Sequence, residues 1–144
     1  MHYLQKSKLV LAAGLLTVSS HALAQANSEA FFSVTSPDNQ TQGMAMVLAT
    51  QMLEQKVPVR MLLCGPAGQI ALKAHESATL KPRNISPKDM LTGLVKAGAT
   101  VEVCALFLPN AERTPADLVE GVHVAKPSEV AAYLQKANVR NLGF

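Results

Sequence analysis

Tryptophan is absent from this chain of 144 residues, and aromatic side chains of all kinds make up only 4%. That scarcity argues against a platform that stacks the bases of single-stranded nucleic acid. Charged residues reach only 16%, against 49% hydrophobic residues, which excludes intrinsic disorder and a coiled coil. No apolar run attains the roughly 18 residues of a membrane-spanning helix. Catalytic signatures are missing as well. The Gly65-Pro66-Ala67-Gly68 turn lacks the Lys-Ser/Thr ending of a phosphate loop and the G-x-G-x-x-G pattern, so no nucleotide cofactor is expected. There is no G-x-S-x-G elbow. The length suits one ordinary domain and not two.

A short leader accounts for much of the positive charge. Lys6 and Lys8 precede an apolar stretch from Leu9 to Val18, and Ala22-Leu23-Ala24 places small residues at the two positions that a signal peptidase reads. This order is the secretory pattern, so residues 1–24 are expected to be a signal peptide and residues 25–144 a single exported domain. Ala24-Gln25-Ala26 offers a second cleavage frame. Removing 24 residues leaves 120, and the formal charge falls from +3 to +1 because Lys6 and Lys8 depart while all 10 acidic residues stay. No Lys/Arg cluster remains that resembles a phosphate-binding face, so nucleic acid is not an expected partner. The expected compartment is the periplasm or the medium, with no membrane span after cleavage.

The remainder alternates strands and helices. Ala30 to Ser36, Val57 to Cys64, Ala99 to Cys104 with an extension towards Leu108, Gly121 to Ala125 and Val139 to Phe144 read as strands. Gln40 to Lys56 has Met44, Val47, Leu48 and Met52 at helical spacing. Gln69 to Ser77 suggests a short helix. Ser86-Pro87-Lys88-Asp89 and Thr114-Pro115-Ala116-Asp117 are helix starts, each a hydroxyl cap followed by Pro and an acid. Pro127 to Lys136 is expected to turn Val130, Ala131 and Leu134 inward. Apolar strands separated by amphipathic helices predict an α/β fold: a three-layer α/β/α sandwich on a mostly parallel five-stranded sheet. Ligands in such folds gather at the carboxyl ends of the strands.

Both cysteines fall at such ends. Cys64 closes the second strand ahead of a Gly-rich turn, and Cys104 closes the third. A thiol facing a helix N-terminus has its pKa lowered, and the thiolate is the nucleophile. An isolated thiol without an obvious base suits sulfur exchange, in which a sulfane sulfur is carried as a persulfide. Two other readings stand beside this one. Free Cys often simply fills a core. An oxidising compartment would also allow a disulfide across the 40-residue separation, contributing about 4 kcal/mol.

In order along the chain, FFSVTS (31–36), GMAMVLATQML (43–53), VRMLLCGPAG (59–68), GATVEVC (98–104) and LVEGVHVAKPSEVAAYL (118–134) resemble the DsrE/DsrF-like family, and in particular its exported members. The resemblance implies an α/β/α sandwich, a tendency to form homo-oligomers, and in some members sulfur transfer through a strand-end cysteine. Only Cys104 occupies that motif position. Cys104 is therefore the candidate persulfide acceptor, and Cys64 the candidate second thiol or disulfide partner. Expected partners are sulfur donor and acceptor proteins or small sulfur compounds. The export leader is a departure, because the best-understood sulfur relays of the family are cytoplasmic. A non-catalytic exported binding or assembly module with structural cysteines is the alternative.

The remaining candidates are weaker. His75 and His123 have no partner His at i+4. Arg83 beside Lys81 and Lys88 would give a strand-end pocket a basic rim. Met44, Met46, Met52, Met61 and Met90 would suit a soft metal beside the thiols, but their spacing fits core filling better.

Overall fold

The computed structural model describes residues 28–144; the expected leader lies outside the described residues. In chain order the elements are β1 (Glu29–Val34), α1 (Asn39–Glu54), β2 (Val59–Leu63), a 3₁₀ segment (Gly65–Ala71), α2 (Pro87–Lys96), β3 (Thr100–Val103), α3 (Phe107–Asn110), a second 3₁₀ turn (Pro115–Asp117), β4 (Val122–Val124), α4 (Pro127–Leu134) and β5 (Val139–Gly143). The five strands form one sheet in the order β4-β3-β2-β1-β5, and every pairing is parallel. The expected α/β architecture is present.

Connectivity explains the layers. From β1 to β4 the chain steps sideways in one direction, and right-handed crossovers taken in one direction lay their helices on one face. That face carries the main core: Phe32, Val34, Met61, Leu63, Val101 and Val103 from the sheet meet Ala45, Met46 and Ala49 of α1 and Leu91 and Leu94 of α2. The return from β4 to β5 crosses from one edge of the sheet to the other, so α4 lands on the opposite face. There it forms a smaller cluster in which Val130 packs with Phe31 and Ala125. The second outer layer is thus thin, a helix of 8 residues.

Local chemistry sets the helix starts. Asp38 caps α1 by accepting from the Thr41 amide at 2.7 Å. Ser86 caps α2, accepting from the Asp89 amide at 3.1 Å and donating to Asp89 Oδ2 at 2.6 Å. Ser86 is buried, so Ser86→Ala should cost about 1 kcal/mol, read as a fall of about 4 °C in a thermal melt. Thr114 and Asp117 form a capping box, but over a 3₁₀ turn of 3 residues and not a longer helix.

Four expectations are corrected. The helical segment after β2 begins at Gly65, not Gln69, because Gly65 adopts φ +54° and Pro66 starts the turn at once. β3 does not run on to Leu108. The Phe107 amide bonds back to the Cys104 carbonyl at 2.9 Å, and Phe107 and Leu108 enter the core from α3. In α1 the buried stripe is Gln42, Gly43, Ala45, Met46 and Ala49, whereas Met44 is 50% exposed and Val47 faces outward too. The small residues let the helix approach closely, and Leu80 packs directly over Gly43. In α4, Val130 and Tyr133 meet the sheet, which rotates Ala131 and Leu134 out to solvent.

Candidate active site at the carboxyl rim of the sheet

The loop after β3 turns towards the main core and the loop after β4 towards the opposite face, so the sheet's switch point falls between β3 and β4. Crevices at such points receive ligands in open α/β sheets. Cys104 stands at the end of β3, and the cleft it lines opens on the other side of that strand, beside the turn that follows β2. The Cys104 amide donates to the Leu63 carbonyl at 2.9 Å, and the Cys64 amide donates to the Val34 carbonyl at 3.0 Å. The last register pair of β2 and β3 is Leu63 with Val103. One residue further on, Cys64 and Cys104 continue the ladder side by side, about 4.8 Å apart at the usual strand spacing. That spacing lies within the range a disulfide spans. Both cysteines are free thiols and half-buried.

Cys104 lines an open cleft of about 460 Å³. Pro66, Leu106, Phe107 and Ala111 make its walls apolar, Gln69 and Asn110 add amides, and among the described residues no charged side chain lines it. Leu106 is 73% exposed, an unusual position for a large apolar side chain. Cys64 does not line the cleft; it stands beside Cys104 on the neighbouring strand. Gly68 supports the cleft from behind. A β-carbon there would meet the Phe107 ring at 2.5 to 2.7 Å, so Gly68→Ala should cost about 1–3 kcal/mol. The same change should alter the reaction rate of the Cys104 thiol with a bulky alkylating reagent, because Phe107 must move.

The expected lowering of the pKa does not occur at Cys64. Burial, reinforced by the adjacent Cys104 thiol, pushes it up to about 12. Tyr133 is likewise pushed up to about 12 by burial and by the neighbouring Glu29 carboxylate. Between the ordinary values, about 8.5 and 10, and pH 12 the unfolded chain releases these protons while the folded chain holds them. Stability should therefore fall as pH rises through this window. Urea titrations should show the decline starting near pH 9, and Cys64→Ser should delay it to the tyrosine range.

Other expected residues are not at the cleft. Arg83 lines a groove between α1 and α2 with Val47, Glu54 and Asp89. Lys88 donates to the carbonyls of Lys73 and His75, both at 2.6 Å. His75 is half-buried beside a neighbouring depression with Pro37 and Asn39, and His123 is exposed on β4. Met46 and Met61 are fully buried in the core, and among the described residues no methionine lines the cleft.

One polar cluster was missed from the sequence. On the face that carries α4, Arg60 Nε donates to Glu102 Oε2 at 2.7 Å and Nη2 to Oε1 at 3.0 Å. The guanidinium lies 5.0 Å from the centre of the Tyr133 ring, and Glu102 holds it above its ordinary pKa. Opposite charges inside two apolar strand segments, VPVRMLLC and ATVEVC, were the available signal.

No family model and no curated protein matches this chain. Solved structures do. The YchN protein from E. coli superposes with a TM-score of 0.68 at 18% identity, covering 81% of this chain and 99% of that one. A protein of unknown function from Methanobacterium thermoautotrophicum, MTH1491, gives 0.62 at 13% identity, with the same two coverages. What this chain shares with these proteins is the DsrE-like fold.

Proposed function

We propose that the protein is an exported DsrE-like sulfur carrier that holds a sulfane sulfur as a persulfide on Cys104. The observation that carries this reading is the opening of Cys104 into a cleft at the strand ends, where α/β sheets place their chemistry. In the step itself the Cys104 thiolate attacks the terminal sulfur of a persulfide donor, R–S–SH. A new S–S bond forms on Cys104, the donor's S–S bond breaks, and R–S⁻ leaves. The uncharged wall suits a small sulfane compound or the persulfide of a carrier protein. Cleavage of residues 1–24, periplasmic or secreted location and homo-oligomer formation belong to the same reading.

Intact mass spectrometry tests it. The reduced protein treated with glutathione persulfide should gain about 32 Da, one sulfur atom. Cys104→Ser should abolish the gain, and absence of any adduct on the unmodified chain would remove the proposal. A second reading draws on the lateral pairing of Cys64 and Cys104: the same placement suits a permanent disulfide in a non-catalytic module. Under native conditions the carrier should then show one fast thiol, and the module none.

A further inference from the structure

We propose that the site also discharges its sulfur: Cys64 attacks the inner sulfur of the Cys104 persulfide, forming a Cys64–Cys104 disulfide and releasing hydrosulfide. This step rests on the carrier reading above and adds a second activity to it, persulfide reduction. Three observations on the fold support it. Cys64 and Cys104 are consecutive in register beyond Leu63 and Val103 on adjacent parallel strands, at a lateral spacing that a disulfide accepts. Only Cys104 lines the cleft, so an incoming donor meets Cys104 and not Cys64. The Cys104 amide donates to the Leu63 carbonyl at 2.9 Å, which locks the two residues abreast and sets the second sulfur beside any persulfide formed on the first.

The chemistry balances. A persulfide is a disulfide whose leaving group is hydrosulfide, and it is opened by thiol attack as in thiol–disulfide exchange. The reactants are the protonated Cys64 thiol and the Cys104 persulfide anion. The Cys64–Cys104 S–S bond forms, the outer S–S bond breaks, and the electron pair of that bond leaves on the outer sulfur. The Cys64 proton goes with it, so the products are the disulfide and HS⁻. The sulfane sulfur is reduced and the two cysteines are oxidised. The nucleophile is the Cys64 thiolate, so Cys64 yields its proton to the outer sulfur as the new S–S bond forms. A dithiol reductant must then regenerate the site before another turnover.

The order of events also separates the two cysteines. Loading needs Cys104 alone, whereas discharge needs both. In time courses quenched with iodoacetamide, the reduced protein exposed to one equivalent of glutathione persulfide should first gain about 32 Da. It should then become about 2 Da lighter than the reduced chain and resist alkylation, with roughly one hydrosulfide released per chain. Cys64→Ser and Cys64→Ala should both load normally, keep the adduct at least about tenfold longer and release no hydrosulfide. Two variants are used so that a packing defect in one does not decide the result. If the unmodified chain keeps its adduct as long as these variants do, the discharge step is overturned while the carrier reading survives. If the Cys64 variants and the unmodified chain all fail to load, both are overturned together.

Discussion

Glu102→Ala should lower the folding stability by about 3 kcal/mol. Glu102 is only 7% exposed and its carboxylate accepts two hydrogen bonds from Arg60. Removing it leaves a guanidinium with 13% side-chain exposure facing the sheet without its counter-charge. The penalty is then mainly the cost of an uncompensated buried cation, not the worth of the pair. Substituting both residues by apolar ones of similar size, Arg60→Met with Glu102→Leu, should recover stability to within about 1 kcal/mol of the parent. Urea midpoints of Arg60→Met, Glu102→Leu and the double variant close a cycle that isolates the coupling. A loss below about 1 kcal/mol for Glu102→Ala would mean that the pair is hydrated and contributes as a surface pair does.

Phe32→Ala should cost about 4 kcal/mol, equivalent to about 15 °C in a melt for a domain of this size. Phe32 lies on β1, which is flanked by β2 and β5. Its side chain is fully buried on the main core face and stacks on Phe144 at 5.8 Å between ring centres. Truncation would open a cavity bordered by a sheet and helices that are already close-packed, so little collapse can relieve it. Phe31, the next residue, points to the other face and meets Tyr133 of α4 at 6.0 Å. With only a two-turn helix above it, that site can relax, and Phe31→Ala should cost less by roughly 1 kcal/mol. Equal losses at the two positions would show that the layer carrying α4 packs as fully as the main one.

The neighbouring phenylalanines also mark where sequence patterns stop being informative. A continuous apolar run signals a strand buried on both faces, and AFFSVTS was read correctly as one. The run itself does not say which face has more covering it. That follows from winding: three crossovers stepping one way stack their helices together, and one return crossing supplies the other layer. The outward turn of Met44 and Leu134 has a similar origin. Apolar residues at helical spacing mark a wide stripe, but which part of it is buried depends on how the helix rolls on the sheet. In α1 the glycine and alanines won because they permit closer approach, and Leu80 fills the space over Gly43.

At the candidate site, the strand-end positions of Cys64 and Cys104 were legible because Gly65 and the loop beyond Cys104 punctuate two apolar segments. The sidedness of Cys104 towards a cleft was not, since Leu106, Phe107 and Asn110 come to it only through the turn that ends β3. The Cys64 pKa was expected to fall at a helix start and instead rises, because burial and a second thiol outweigh a short 3₁₀ turn.

Local chemistry along the chain was enough to specify five strands, the Ser86 cap, the turn after Cys64 and the α/β class, since each rests on neighbours a few residues apart. Lateral register belongs to the folded molecule. It pairs Arg60 with Glu102 and sets Cys64 beside Cys104, because partners some 40 residues apart meet only when parallel strands lock their ladder, and no periodicity within either strand encodes that alignment.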